Sequence, residues 1–214
     1  MDKVKRGIPA LEDERQRVYM ALLAYAGMRS EEILGLGWQS VFLEEGFCKM
    51  VRTVTYPNKS ECVVRNCGKT ELSVRTVALP DPVISVLQQA KRGTGYVLHG
   101  NSEDKPLCYS TYQCTYQAAF KAPGIAGKCC NYDFRSTYGT ELCEAGLTTK
   151  QVADRMGHST TRMVETVYAR TRHASVMRQR ERLNLLNQAY DVTKNVKQKE
   201  PSSPYKSTGS ADGM

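Results

Sequence analysis

The chain has 214 residues, of which 41% are hydrophobic, and a chain of this length can form one domain that buries roughly 70% of its surface on folding. A second full domain is not expected. The formal net charge of +8 favours a polyanionic partner, because each Lys or Arg set against a phosphate releases a condensed counterion.

The N-terminal stretch MDKVKRGIPALEDERQR lacks an apolar segment, which argues against a signal peptide. No run of about 18 apolar residues occurs, so a membrane span and a membrane partner are not expected. The eight cysteines show no CxxC spacing, and the chain has only three His. Free thiols, no metal site and a cytoplasmic location are therefore predicted.

The first elements in chain order are a linker and two helices. Residues 1–9 are predicted to be the linker, and a helix is predicted from about 11 to 26, with acidic residues in its first turn and Gly27 as its end. Ser30 can cap a second short helix. Arg29 is thereby placed in the turn between the two helices.

Residues 39–79 are rich in β-branched residues separated by turn formers, which predicts a small three-stranded antiparallel sheet with Lys69 in or beside its last hairpin. Helices resume after Pro80 and Pro82. They are predicted at about 109–121, 131–145, 149–156, 160–168 and 174–190. The predicted fold class is therefore α+β, mainly α-helical with a small three-stranded antiparallel sheet.

The end of the chain differs from the rest. Residues 170–200 hold eight Lys or Arg against three acidic residues, and this basic stretch can lie along DNA or form a solvated helix face. The last residues are rich in Pro, Ser and Gly, which predicts disorder. The predicted segments are a linker (1–9), a main domain (10–172), a C-terminal helix (173–192) and a disordered tail (193–214).

Five polar residues give the main indication of function: Arg29, Lys69, Arg135, His158 and Tyr168. The first four can contact a phosphate, and the fifth is a phenol that can attack one. Their contexts are AYAGMRSEEILGLGW, GKTELSVRTVALP, NYDFRSTYGTEL and MGHSTTRMVETVYAR. Together these segments resemble the catalytic domain of tyrosine recombinases, the phage and transposon integrase family, from about residue 10 to residue 172.

The resemblance implies a fold and a reaction. The fold would be the catalytic core of the DNA breaking-rejoining enzymes. In this family a tyrosine attacks the scissile phosphate of double-stranded DNA and leaves a 3′-phosphotyrosine and a free 5′-hydroxyl, with no cofactor and no metal. A 5′-hydroxyl from the partner strand then reverses the attack, which recombines or integrates the DNA of a phage or another mobile genetic element.

The resemblance also implies the roles of the five residues. Tyr168 would be the nucleophile, and Lys69 would protonate the departing 5′ oxygen. Arg29 and Arg135 would hold the non-bridging oxygens, because a guanidinium is a planar fork that keeps its proton. His158 would donate a hydrogen bond to a non-bridging oxygen of the same phosphate. It could also exchange a proton during the reaction.

Two further residues are candidates. Tyr132 lies three residues before Arg135, on the same helix face, at a position where the family usually has His. A phenol with a pKa of about 10 is a poor general base at neutral pH, but it can donate a hydrogen bond to phosphate; alternatively, Tyr132 is a core aromatic residue. Glu32 matches the family's acid after the first arginine, and either orients a neighbouring side chain or only lies in the first turn of its helix.

Other interpretations remain open. Residues 147–168 also resemble a helix-turn-helix, which would make the protein a DNA-binding regulator without chemistry. The core of that module would be Val152, Ala153, Met156 and Met163. This alternative leaves the two arginines and the lysine unexplained. A catalytically inactive integrase relative and a type IB topoisomerase, which shares the chemistry, are further alternatives.

Integrases usually carry an N-terminal core-binding domain, and this chain begins at what resembles the linker to it. We therefore expect a catalytic fragment that binds DNA weakly and with a strong dependence on salt. In this family a C-terminal helix such as 173–192 can pack on a neighbouring subunit and couple the sites of a homotetramer on DNA. Packing of that helix on its own domain is equally consistent with the sequence.

Overall fold

The structure is a computed structural model, and it describes residues 2–67, 74–121, 130–158, 160–162, 164–166, 180, 183 and 184. The chain divides into two compact units, Met1–Thr171 and Arg172–Met214. The second unit is described only at residues 180, 183 and 184, which are helical. All the named helices and strands belong to the first unit.

Within the described residues of the first unit, five short strands lie between the third and fourth of seven α-helices. The helices are α1 (Asp2–Gly7), α2 (Glu14–Ala26), α3 (Ser30–Gly35), α4 (Asp81–Gln89), α5 (Tyr109–Lys121), α6 (Asn131–Glu144) and α7 (Thr149–Met156). The strands are β1 (Val41–Phe42), β2 (Phe47–Met50), β3 (Arg52–Thr55), β4 (Val63–Asn66) and β5 (Arg75–Ala78).

Helix α2 is the centre of the hydrophobic core. It begins after Asp13, whose carboxylate accepts a hydrogen bond from the backbone N–H of Arg15 at 2.7 Å. It ends at Gly27, whose φ of 61° is left-handed and is easily adopted only by glycine. The helix packs against α4, α5 and α6. The Gly27 turn, and Arg29 after it, are therefore fixed at the end of a buried helix.

The strands form two small antiparallel sheets. β1, β2 and β5 make a three-stranded sheet in the order β1-β2-β5, in which buried Cys48 of β2 lies opposite Val41 and Val77. β3 and β4 form a separate two-stranded sheet, with Val54 opposite Val64. Helix α3 packs against β3, so the arginine before α3 is brought close to the strands.

The predicted fold class is confirmed, because the domain is mainly helical with small antiparallel sheets. Helices α5, α6 and α7 lie within one residue of the predicted bounds. The strand region holds two sheets and not one, because β3 and β4 pair only with each other among the described strands.

Three local features differ from the prediction. Residues 1–9, predicted to be a linker, contain helix α1, and Ile8 is buried; their connection to another domain stays a prediction. Arg29 and not Ser30 is the N-cap residue of α3. Helix α4 was absent from the predicted helices, although Val83 and Leu87, four residues apart, form its buried face.

A second, smaller core lies near the end of the first unit. It consists of Val152, Ala153, Met156 and Val164. Helix α7 ends at Gly157, which has a left-handed φ of 64°. The first three of these core residues are also those of the helix-turn-helix interpretation, which explains the local resemblance; Met163 lies outside the described residues.

The predicted helix over 174–190 lies outside the described residues except at 180, 183 and 184, and the predicted tail over 193–214 lies entirely outside them. Seven cysteines occur in the described segments, and each is a free thiol. In those segments, every helix is too short or too polar to cross a membrane.

Candidate active site

Arg29 lies at the turn between α2 and α3, where Glu32 holds it. The backbone N–H of Arg29 donates to Glu32 Oε2 at 2.8 Å, and Arg29 Nη1 donates to Glu32 Oε1 at 2.9 Å. The Glu32 residue is only 5% exposed. Its carboxylate therefore caps the first turn of α3 and also holds the Arg29 side chain, so Glu32 does more than lie in the first turn of its helix.

Arg135 reaches the site from helix α6. Its Nη1 donates to the carbonyl oxygen of Gly27, and its Nη2 donates to the carbonyl oxygen of Met156. The residue is 7% exposed. Burial lowers the pKa of Arg135 to about 10, and the neighbouring cation of Arg29 acts in the same direction. Arg135 therefore keeps its positive charge at neutral pH in a largely water-excluded position.

Arg75 also belongs to this cluster, and the sequence interpretation missed it. Its Nη2 donates to Glu32 Oε2 at 2.6 Å, and its side chain is 16% exposed. Arg75 and buried Val77 are two residues apart in β5, and alternate residues of a strand face the same side. An arginine on the buried face of a strand requires a charged or polar partner, and this pattern was the available signal.

Three arginine side chains converge on the C-terminal end of α7. The pairs are Arg75 Nη1 with the Arg155 carbonyl (3.1 Å), Arg135 Nη2 with the Met156 carbonyl, and Arg29 Nη2 with the Gly157 carbonyl (2.9 Å). The last carbonyls of a helix lack partners within the helix and form its negative end, where cations are stabilised. Arginines from a turn, a strand and another helix thus fix three consecutive peptide groups immediately before His158.

His158 follows this anchored segment. Its backbone N–H donates to the Ala153 carbonyl at 2.9 Å. Its Nδ1 atom is buried and has no hydrogen-bond partner among the described residues. Only Nε2 of the imidazole is therefore left to contact a ligand. Burial, followed by the cations of Arg135, Arg29 and Arg75, lowers the pKa of His158, so the ring is neutral at pH 7.

The lowered pKa of His158 predicts that the domain is sensitive to acid. In the unfolded chain this histidine binds a proton near pH 6.5, and in the folded protein it does so at a lower pH. The contribution of neutral His158 to the free energy of unfolding is therefore fully present above about pH 6.5. It is lost as the pH falls from about 6.5 towards the pKa of the folded protein. Urea unfolding between about pH 5 and 7.5 is expected to show a shallower decline for His158→Gln than for the unsubstituted protein. Identical slopes would contradict this expectation.

Arg29, Tyr132, Arg135 and His158 line one open cavity of about 430 Å³. Tyr132 is 59% exposed, so it is a surface residue of the cavity, and the interpretation as a core aromatic residue is wrong. The cavity thus offers guanidinium, imidazole and phenol donors on one wall. Such a set of donors is suited to an oxyanion with several oxygens.

Two further cavities adjoin His158. One, of about 440 Å³, is lined by Arg29, Glu32, Arg75 and Asp154 among others. The other is small, about 20 Å³, and mostly apolar, and its lining includes Val164. The candidate residues Lys69 and Tyr168 lie outside the described residues, so their roles stay predictions. The structure therefore brings together four of the six proposed catalytic side chains.

The fold and the cavity define the class of protein: a mainly helical domain in which Arg29, Arg135 and His158 line one cavity. Residues 2–175 match the model of the phage integrase family. The chain belongs to this family, that of the tyrosine recombinase catalytic domain. The resemblance found in the sequence is thereby confirmed.

Curated relatives support the same family. The chain is similar to the tyrosine recombinase XerC-like of Caldanaerobacter subterraneus subsp. tengcongensis, with 25% identity over 193 residues, 78% of this chain and 48% of the relative. It is also similar to the prophage integrase IntR of Escherichia coli strain K12, with 26% identity over 171 residues, 67% of this chain and 40% of the relative. The chain spans less than half the length of these two relatives.

Solved structures show the fold. The crystal structure of XerA recombinase has a TM-score of 0.64 at 21% identity, over 85% of this chain and 62% of that chain. The Tn1549 transposon integrase in complex with transposon right end DNA has a TM-score of 0.63 at 18% identity, over 85% of this chain and 63% of that chain. The mainly helical domain with small sheets is therefore a tyrosine recombinase catalytic fold.

Proposed function

We propose that this chain is the catalytic domain of a tyrosine recombinase that cuts and rejoins double-stranded DNA. The observation that carries the proposal is the convergence of Arg29, Arg135 and His158 on one cavity in a chain of the phage integrase family. Phosphoryl transfer develops charge on the non-bridging oxygens, and donors that are fixed beforehand stabilise this charge without reorganising. The contacts with backbone carbonyls fix these arginines in advance.

Arg29 is the guanidinium best placed to meet a phosphate. A guanidinium has five N–H donors, and the described contacts of the Arg29 side chain use one on Nη1 and one on Nη2. Its side chain is 39% exposed, so the remaining donors can reach a ligand. Arg135 supports it as a buried positive charge, and each charge-assisted contact with the phosphate contributes about 1.5 to 3 kcal/mol.

His158 and Tyr132 add neutral donors to the same phosphate. Because Nδ1 is buried, His158 can meet the phosphate only through Nε2. The lowered pKa of His158 also makes it a weaker base for Tyr168 than a free imidazole. Ionising a phenol of pKa 10 at pH 7 costs about 4 kcal/mol, and a cation about 4 Å away is worth a similar amount at an effective dielectric constant of 20. We therefore assign the activation of Tyr168 to the field of the arginines.

The position of Val164 supports Tyr168 as the nucleophile of this site. Val164 is buried, and it lines a cavity together with Arg135 and His158. Tyr168 follows Val164 by only four residues in the sequence. Lys69 is proposed as the acid that protonates the departing 5′ oxygen.

The proposal extends to partners and location. Double-stranded DNA of a phage or another mobile element is the proposed substrate, recombined or integrated through a 3′-phosphotyrosyl intermediate, in the cytoplasm. The Tn1549 integrase was solved with transposon DNA, and XerH was solved bound to its difH substrate, which supports DNA as the ligand. Assembly into a homotetramer through residues 173–192 is proposed from the family resemblance alone.

A covalent trapping experiment tests the function. A nicked duplex that loses a short 5′-hydroxyl fragment after cleavage prevents rejoining, so an active protein accumulates as an adduct that resists denaturant. We expect this adduct from the unsubstituted protein at low salt and none from Tyr168→Phe. Tyr109→Phe is the matched control, and it should still form the adduct. DNA binding without an adduct in any variant would contradict the proposal and favour the regulator or the inactive relative.

A further inference from the structure

We propose that Arg75 is a positioning residue of the active site, which holds Glu32 and the C-terminal end of α7 so that Arg29 and His158 face the phosphate. This inference rests on the proposed function. Arg75 lines the cavity next to His158 but not the cavity shared by Arg29, Tyr132, Arg135 and His158. It therefore acts through its neighbours and not by touching the phosphate.

Arg75 is placed where a cation is unfavourable without partners. It occupies the buried face of β5 with Val77, and burial lowers the pKa of its guanidinium. Its two terminal nitrogens are both engaged, Nη2 with Glu32 Oε2 at 2.6 Å and Nη1 with the Arg155 carbonyl at 3.1 Å. One planar fork thus joins the start of α3 to the end of α7, which a lysine cannot do because its charge is a single point.

The carboxylate of Glu32 is shared between two arginines. Oε1 accepts from Arg29 Nη1, whereas Oε2 accepts from Arg75 Nη2 and from the backbone N–H of Arg29. Because Oε2 is held by Arg75 and by the Arg29 backbone N–H, the Arg29 guanidinium is bound by Oε1 only. Without Arg75, Oε2 keeps a single partner, and the carboxylate can turn towards a bidentate pair with the Arg29 guanidinium. That pair would withdraw N–H donors from the phosphate cavity.

Arg75 also packs against Gly157, the residue that precedes His158. Gly157 has a φ of 64°, and a Cβ atom built there would lie 2.6 Å from Arg75 Cδ. The arginine stem thus fills the space next to the turn that presents His158. Arg75 is in addition one of the three cations that lower the pKa of His158.

The imidazole of His158 therefore reports on the position of Arg75. The charged residues that line the two large cavities around it are Arg29, Glu31, Glu32, Arg75, Arg135 and Asp154. Tyr132 and Cys67 are the uncharged titratable side chains in the same linings. Removing the Arg75 charge alone should raise the pKa of His158, whereas a general loosening of the fold would not single out this histidine.

The test compares Arg75→Met, which keeps the stem and removes the charge, with Arg75→Lys, which keeps the charge and loses the fork. The matched control is Arg92→Met, because Arg92 is exposed and its guanidinium lies 5.7 Å from the Trp38 ring centroid, outside the cavity linings around His158. The full chain is used throughout. Two quantities are measured: the rate of adduct formation on the nicked duplex at saturating DNA, and the pKa of His158 by NMR, with the resonance assigned through His158→Gln.

We expect Arg75→Met to slow adduct formation by about 100-fold, the size of effect that a misplacement of about 1 Å caused far from the chemistry can have, and to raise the pKa of His158. Arg75→Lys should form the adduct faster than Arg75→Met but more slowly than the unsubstituted protein. Its pKa of His158 should stay close to that of the unsubstituted protein. Arg92→Met should change neither quantity.

Adduct formation by Arg75→Met at the unsubstituted rate would overturn the inference, and so would a slowed rate with an unchanged pKa of His158. If Arg75→Met fails to fold, the test rests on Arg75→Lys. Adduct formation by Arg75→Lys at the rate of the unsubstituted protein would show that the planar fork of Arg75 is not needed, and would overturn the inference. If even the unsubstituted protein forms no adduct, the proposed function fails separately. A raised pKa of His158 in Arg75→Met then still shows that Arg75 is held beside His158, and an unchanged pKa refutes that placement.

Discussion

Arg135→Lys is expected to slow adduct formation on the nicked duplex by at least about 100-fold. Arg135 is buried and donates to the carbonyl oxygens of Gly27 and Met156 at the same time. A lysine keeps the charge but cannot hold both carbonyls with a planar fork, so neither the charge nor the two turns stay in place. The substitution leaves at least one buried carbonyl unpaired, so a loss of stability of about 1 to 3 kcal/mol accompanies the loss of rate.

Both quantities can be measured on the same protein, the rate by single-turnover adduct formation and the stability by urea unfolding. The rate is to be taken at a temperature at which the variant is fully folded. Arg92→Lys is the control, because Arg92 is an exposed residue and the same chemical change there should leave rate and stability unaltered. A fully folded Arg135→Lys protein with an undiminished rate would contradict the role given to the Arg135 fork.

Gly27→Ala is expected to destabilise the domain by about 3 kcal/mol or more. Two effects add at this position. The φ of 61° is left-handed, which costs a residue with a Cβ about 1 to 2 kcal/mol. A Cβ atom would also lie 2.1 Å from Cδ1 of the Tyr138 ring, so the ring or the turn must move. The Tyr138 hydroxyl accepts a hydrogen bond from Arg155 Nε at 2.8 Å, and a shifted ring would lose it.

Gly46→Ala separates the two effects. Gly46 also has a left-handed φ, of 73°, but the nearest atoms to its Cβ position are 3.8 and 3.9 Å away. This control should therefore lose only the backbone contribution of about 1 to 2 kcal/mol. Gly27→Ala should in addition slow adduct formation, because the Gly27 carbonyl holds Arg135. Equal free energies of unfolding for the two variants would show that the overlap of the new Cβ with the Tyr138 ring does not destabilise the domain.

The sequence predicted those parts of the fold that depend on neighbouring residues. Gly27 was recognised as the end of α2 because a glycine after an apolar helix is a local signal. The bounds of α6 and α7 followed from helical spacing and end at residues 144 and 156. The separation of the strands into two sheets could not be predicted, because pairing of β2 with β5 depends on contacts between residues about 30 positions apart.

The candidate site was predicted unevenly for a related reason. Arg29, Arg135 and His158 were found because their sequence contexts resemble those of a known family. Arg75 lies in one of the same contexts, GKTELSVRTVALP, but its importance depends on Glu32, 43 positions away. Only the buried face of its strand indicated that it needed a partner. The exposed position of Tyr132 could not be inferred either, since a tyrosine on a helix occurs equally on core and surface faces.

The three carbonyls at the end of α7 have a consequence for the order of assembly. Their arginine partners lie 128, 80 and 21 positions away in the chain, and closing such long loops precedes any gain from the contacts. During synthesis the two more distant arginines emerge well before the peptide groups that will anchor them. A nascent or partly folded chain therefore lacks the organised cavity beside His158. Under the proposed function, the capacity to break a strand would arise only when the whole unit has been made and closed, and unfinished copies would not nick DNA.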